Sequence, residues 1–360
     1  PVYSMPSICL SVISPATARD ISSAGALWLM LLSTSASAHH STTYFSEEFR
    51  EIEGELVEVN WANPHVGFTL TTVNDQGQEE LWSLEATTVY ILQRKGVTQD
   101  LFQPGERIRV AGRVSTRDER AMLSTNMFFE NGREILTNPQ AELRWNTEQI
   151  AEGDLWVPDD VRQQDIGAEN RGIFRVWSQP AEGLENAAFV WRDGIPFLEE
   201  VIAARADWDP IENTVTRCEP PGMPSMMETP YPVEFIERDS SIELIGVANN
   251  SEVTRTIYLE DQSNSAAQAP SPSGYSVGHW EGNTLTVETT RINYPYFDNI
   301  GTPLSETLTI VEKFSLNDDQ SRLDFRMTAV DPAMFTEPAV LLEYYWLALG
   351  ETVERQPCGN

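Results

Sequence analysis

The sequence predicts a mainly β protein: an N-terminal OB-like five-stranded barrel, then a C-terminal antiparallel β-barrel or curved sandwich of lipocalin-like type with one short helix. Three observations carry this. Gly274–Asn293 reads as a hairpin, with a strand at Tyr275–Trp280, a turn at Glu281-Gly282-Asn283 and a second strand at Thr284–Thr290. Leu285, Val287 and Thr289 alternate there with Thr284, Thr286 and Glu288, the period of a half-buried strand. Further strand-like segments recur around it at hairpin spacing, as in closed or sandwiched antiparallel sheets. Before residue 130, three strand-like segments, a helical one and two more strands follow the OB order.

In the first half, strands are predicted at Arg50–Trp61, His65–Val73, Glu79–Glu85, Arg107–Ser115 and Ala121–Phe129. Arg133–Thr137 extends the sheet after the Asn131-Gly132 turn. Ala86–Lys95 is predicted helical, with Gly96 at the C-terminal cap. Arg107, Arg109 and Arg113 form a stripe at period two, read as a solvated face answering nearby acids. The connector contains Trp145 and Trp156, expected to pin it to a domain surface.

In the second half, Gly172–Gln179 and Ala187–Trp191 read as strands, and Ile195–Trp208 as a helix with an apolar stripe of Phe197, Val201, Ile202 and Ala204. Strands are then expected at Val233–Glu237, Ser241–Ala248, Val253–Leu259, Gly274–Trp280, Thr284–Thr290, Ser305–Leu316, Arg322–Val330 and Val340–Leu347. A barrel of about eight strands can hold one small ligand. The expected organisation is a signal peptide with upstream extension at 1–38, an OB-like domain at 39–140, a linker at 141–170 and the second β domain at 171–360.

The chain has 360 residues and a net charge of −31, with 55 Asp and Glu against 24 Lys and Arg. Such a surface repels nucleic acid and anionic lipid, so neither is an expected partner. The scattered acids serve solubility or cation recruitment and form no calcium-loop pattern. Ala24–Leu32 is an apolar run too short to span a bilayer, followed by Ala36-Ser37-Ala38, an A-x-A cleavage pattern. A secretory signal is expected, hence a periplasmic or secreted protein with no membrane span after cleavage. Cleavage removes Cys9 and leaves Cys218 and Cys358, read as one disulfide in an oxidising compartment. It would close 358 − 218 = 140 positions, worth about 4–5 kcal/mol in the chain-entropy model.

Cleavage after Ala38 would expose His39-His40-Ser41. A terminal amine and imidazole, with His65 as a further ligand, suit copper or zinc; the alternative is a loop histidine beside a flexible terminus. Met223, Met226 and Met227 are soft donors in type, but read as core filling. His279 stands on a strand two residues before Glu281, and with Asp298 and Glu312 from neighbouring strands would form a His–carboxylate acid/base group; the alternative is a strand-end histidine bonded to a loop. Trp280, Tyr294, Tyr296 and Tyr345 are candidate linings for an apolar pocket, or core and rim aromatics. There is no G-x-S-x-G, H-E-x-x-H, C-x-x-C, P-loop or dinucleotide fingerprint.

Several motifs together resemble DUF6152, a family of exported bacterial domains without an assigned activity. They are the A-H-H-S near the signal junction, Gly54–His65 (GELVEVNWANPH), Trp82–Glu85 (WSLE) and Pro104–Gly112 (PGERIRVAG). The resemblance covers about His39 to Thr137 and implies export and a small β-barrel. The second half resembles the C-terminal region of other exported bacterial proteins through Cys218–Pro224, Pro230–Ile236, Gly278–Thr289, Asp298–Ser305 and Val311–Phe314. In that pattern a His often precedes the V-E-x-F strand; Thr309 stands in that neighbourhood here, so a site built on that His does not carry over. The expected function is non-catalytic binding of a small molecule or metal ion. The alternatives are an enzyme acting on an apolar molecule in the second barrel and an envelope interaction module. The sequence leaves the oligomeric state open.

Overall fold

The computed structural model describes residues 45–146, 159, 172–188, 190–209, 219–248, 251–259 and 268–353. They fall within one compact unit that runs from Ala38 onward and contains two β-sheets, each with its own apolar core. Cys218 and Cys358, His39 and His40, and Trp156 lie outside the described residues. Among the described residues, no helix is long and apolar enough to cross a membrane, which says nothing of strands.

The first sheet comprises β1 (Phe45–Asn60), β2 (Gly67–Val73), β3 (Glu79–Glu85), β4 (Arg107–Ser115), β5 (Ala121–Phe129) and β6 (Glu134–Leu136). β1 is long because it serves two partners: Phe45–Glu55 pair with β4 and Glu55–Asn60 pair with β2. Gly54 sits at that crossover, where a Cβ would collide with the Thr71 carbonyl oxygen. β5 divides its edge in the same way. Its first residues pair in parallel with the end of β3, and its later ones pair antiparallel with β6. The β3–β5 pairing closes the ring in the order β1-β2-β3-β5-β4, the expected OB-like barrel. Leu56, Phe68, Leu70, Leu84, Val110 and Met127 fill it.

The predicted helix is present as α1 (Val89–Arg94). Two side chains cap its start: Thr88 Oγ1 accepts the Ile91 N–H at 3.2 Å and Asn63 Oδ1 accepts the Val89 N–H at 3.1 Å. Asn63 is buried and precedes a cis Pro64, and β2 begins at Gly67 instead of His65. The arginine stripe on β4 faces acids: Arg107 meets Glu53 at 2.9 Å and Arg113 meets Glu47 at 3.2 Å.

After β6 the chain folds back over the barrel as a strap. Glu134, fully buried, accepts the backbone N–H groups of Arg144, Trp145 and Asn146 and the Asn126 amide, at 2.8–3.0 Å. These bonds outweigh burial and hold its carboxyl below the ordinary range. Trp145 packs on Phe128, with ring centroids 5.8 Å apart. The strap is therefore tethered both by the buried carboxylate and by the aromatic ring.

The second sheet has nine strands: β7 (Val176–Trp177), β8 (Val233–Glu237), β9 (Ser241–Ala248), β10 (Ser251–Tyr258), β11 (Tyr275–Glu281), β12 (Thr284–Thr290), β13 (Thr309–Leu316), β14 (Arg322–Val330) and β15 (Ala339–Leu347). Neighbours follow chain order, and reciprocal 2.9 Å bonds between Ser178 and Leu347 bring the two edges together. The sheet is nearly a closed barrel. One pairing departs from simple hairpins: β10 and β11 run parallel. At Gly278 on β11, a Cβ would stand 2.7 Å from Ile257 Cγ2 of β10, so a side chain there would force the strands apart.

Between residues 172 and 208 the described segments differ from expectation. The strand at Gly172–Gln179 contracts to β7, and in place of the strand at Ala187–Trp191 the described residues show a turn at Ala187 and Ala188, where Ala187 has φ 48°, and a bend at Val190. A helix not predicted, α2 (Ala181–Glu185), starts behind Pro180. The helix at Ile195–Trp208 contracts to α3 (Glu199–Ala203), followed by a 3-10 turn. Phe197 is bridged to Phe335 in extended backbone, and its ring packs edge-on against Phe297. Those aromatic contacts override the helical spacing, and Ile202 is left 48% exposed.

α1 carries the polar join between the sheets. Arg94 is buried; its guanidinium donates to Tyr90 Oη (3.0 Å), the Gln179 carbonyl (3.1 Å) and Asp159 (3.1 Å), and pairs with Glu351 (3.1 Å). Asp159 also accepts the Ala181 N–H at the start of α2. Tyr90 packs beside Tyr231, with centroids 5.4 Å apart.

The barrel interior holds Phe235, Phe314, Phe325 and Trp346 together with one ion pair. Arg255 on β10 and Glu312 on β13 meet through two bonds of 3.1 and 2.6 Å, with side chains 1% and 0% exposed. Arg255 also donates to Met223 Sδ at 3.2 Å. Removing one partner of a buried pair strands the other charge, at about 3–5 kcal/mol, whereas an apolar replacement of both is far better tolerated. We expect Glu312→Leu to lower the urea midpoint sharply and Arg255→Met with Glu312→Leu to recover most of the loss. Equal losses in the single and double variants would refute a charge-pairing role.

Candidate functional site

The best-prepared titratable pair stands on the rim of the OB-like barrel. His65 follows cis Pro64 in the loop between β1 and β2; Glu85 is the last residue of β3. β2 and β3 pair from Gly67 and Glu85 onward, which brings the two side chains together. His65 Nδ1 is bonded to Glu85 Oε1, and both side chains are about one-fifth exposed, at 22% and 18%. Burial lowers the imidazole's proton affinity, but the Glu85 charge and bond more than offset it, so its pKa is raised overall. A carboxylate on Nδ1 fixes ring orientation and tautomer and directs Nε2 as the donor atom, the arrangement found behind metal-ligating histidines. Among the described residues, no three His, Cys, Asp or Glu side chains are grouped to hold a metal. The other two expected ligands, His39 and His40, lie outside them.

The second expected group does not assemble in one place. His279 and Glu281 are exposed on the outer face of β11, where His279 lies opposite Thr286. Asp298 is buried in the loop after β12. Its carboxylate accepts the Ile300 and Thr302 backbone N–H groups (3.1 and 3.0 Å) and the Thr302 hydroxyl, with Arg205 at 3.4 Å. That bonding is what a loop anchor needs.

The four aromatic candidates are likewise distributed. Trp280, 39% exposed, stands at the end of β11. Tyr345 points outward from β15 under Arg322, whose guanidinium lies 4.0 Å from the ring centre. Tyr294 and Tyr296 belong to the loop after β12, where Tyr296 meets Trp208 edge-on at 6.1 Å. The interior that would have held an apolar substrate is filled by aromatic and methionine side chains. Met223, Met226 and Met227 are all buried, in line with the core-filling reading.

Sequence reading missed a further titratable residue, Glu228. It follows the buried Met226-Met227 turn, and its carboxylate accepts the Trp191 N–H at 3.4 Å. Burial pushes its carboxyl up to about 8; that bond opposes the shift, and the nearby Asp298 charge adds to it. Only its position beside the methionines could have signalled burial. The folded value lies above the ordinary 4.5, so ionisation is penalised in the folded chain. Its share of stability is intact below pH 4.5, falls from 4.5 to about 8 and is level above that. Glu228→Gln keeps the acceptor and removes the titration. We expect its Tm advantage over the parent protein to grow across that window; a pH-independent difference would contradict the assignment.

No curated protein matches the sequence. Residues 27–123 match the model of DUF6152, a family of unknown function, and the match runs through β1–β4 into β5. The OB-like barrel with its His65–Glu85 pair is thus a DUF6152-like domain.

Proposed function

We propose that this is an exported β protein that binds its ligand without transforming it, and that its DUF6152-like domain takes a copper or zinc ion through His65. The observation that carries the reading is the bond from His65 Nδ1 to Glu85, which orients the imidazole for coordination through Nε2. His39 and His40 are the sequence-level candidates to complete the set, their imidazoles joined by a terminal amine if cleavage follows Ala38. Export is supported by the Ala24–Leu32 run and the Ala36-Ser37-Ala38 pattern.

The test uses protein recovered from the cell envelope or medium, its N-terminus read by mass spectrometry. Copper(II) titration of the metal-free protein should saturate at one equivalent with nitrogen hyperfine structure in the EPR spectrum. His65→Ala should abolish that site, and Glu85→Gln should weaken it by roughly ten- to a hundredfold. Absence of stoichiometric copper or zinc, or an unchanged titration in His65→Ala, would sink the metal reading.

A further inference from the structure

A second site lies on the outer face of the same barrel, and nothing in the metal reading bears on it. The strap that follows β6 stands off the sheet and leaves an open groove of about 520 Å³. Its floor is Phe49 of β1, Arg113 of β4, and Thr125 and Asn126 of β5; its wall is the strap from Asn138 to Arg144. Phe49 and Arg113 are direct cross-strand partners. The wall is built, since Glu134 fixes the strap's backbone and Asn126 donates from the groove to both Glu134 and the Glu142 carbonyl, each at 2.8 Å.

The groove combines two cations, one exposed acid on its wall (Glu142) and an aromatic face in a chain of net charge −31. The Arg144 guanidinium lies 4.7 Å from the Phe49 ring centre, and Phe49 is 43% exposed. Each arginine is met by an exposed carboxylate: Arg113 Nη1 by Glu47, 94% exposed, at 3.2 Å, and Arg144 Nε by Glu51. Exposed pairs of this kind are worth about 0–1 kcal/mol, so a better-seated carboxylate can displace them. A guanidinium has five N–H donors in a fork that matches a carboxylate. Thr125 and Asn126 are occupied with each other and with the backbone, so they shape the floor and leave recognition to the arginines and the ring.

We propose that this groove binds a small organic carboxylate with a flat apolar body. The carboxylate sits on Arg113 and Arg144 in place of Glu47 and Glu51, and the flat body lies on Phe49. The volume falls within the ordinary range of small-molecule sites.

Benzoate is the probe, with benzamide as its neutral counterpart, titrated by calorimetry into the full chain. Benzoate should bind at one site and benzamide should not. Arg113→Gln and Arg144→Gln should each weaken benzoate by roughly ten- to a hundredfold. Glu47→Gln removes the competing carboxylate from an almost fully exposed position, where folding is not at stake, and should tighten binding. Equal binding of benzoate and benzamide, no benzoate binding at millimolar concentration, or a Glu47→Gln variant that binds no more tightly than the parent would overturn the proposal.

Discussion

Arg255 and Glu312 face each other across the interior of the nine-stranded sheet, and their burial dictates how the rest of that sheet is packed. A guanidinium and a carboxylate removed from water are tolerable only when their geometry is good and their polar atoms are engaged. Here the fork is two-fold and Met223 takes a further Arg255 N–H, while Arg255 Nε is buried without a hydrogen-bond partner among the described residues. Met223 belongs to the irregular segment before β8 and is fully buried, so that segment is drawn into the barrel with it. Tyr344, inward on β15, is pushed well above the ordinary tyrosine range by burial, with the Glu312 and Glu228 charges adding to it. Around this polar centre, Phe235, Phe314, Phe325 and Trp346 pack ring on ring. The strand number of a ligand-holding barrel is present, but the space is used as core.

The first barrel carries the two candidate sites proposed above, and its own contacts bear on where they lie. α1 and its Arg94 are committed to Asp159, Gln179 and Glu351, so the helix side is a joint. Two regions of the described residues combine titratable or charged groups with exposure: the rim holding His65 and Glu85, and the groove under the strap. Both depend on strand ends meeting. β3 reaches β5 at the residues that set Glu85 in place, and β5 then turns to β6 at the residues that bring Glu134 beneath the strap.

What the sequence made legible follows from what alternation can encode. β3, β4, β8, β9, β12 and β14 have the predicted bounds because apolar and polar residues alternate along them between clear turns; β5, AMLSTNMFF, is buried on both faces and is bounded by its flanking turns instead. The OB order was readable for the same reason, and so was the arginine stripe facing acids on β1. The interior charges were not readable. Arg255 lies between Val253 and Ile257 on the inward face, and Glu312 between Ile310 and Phe314. Period two assigns them to the core, while the cost of burying a charge assigns them to solvent. Only a partner on another strand resolves that conflict. Glu134 is the same case with backbone N–H groups as the partner, and Asn63 is a turn residue whose use as a helix cap depends on a helix 26 positions away. The Ile195–Trp208 helix failed because Phe197 finds Phe297 and Phe335, contacts distant in sequence.

The W-A-N-P-H motif gains a division of labour from these contacts. Trp61 packs toward Phe102, with centroids 5.9 Å apart, and belongs to the barrel wall. Asn63 caps α1, and α1 in turn presents Tyr90 and Arg94 to the second sheet. Pro64 is cis, and the residue after it meets Glu85. One turn therefore serves the core, the joint between sheets and the rim pair at once. A residue type repeated in such a motif need not be there for chemistry: three of these positions are accounted for by folding. His65 is the titratable member of the motif: its imidazole is bonded to the Glu85 carboxylate on the rim, where about one-fifth of the side chain is exposed.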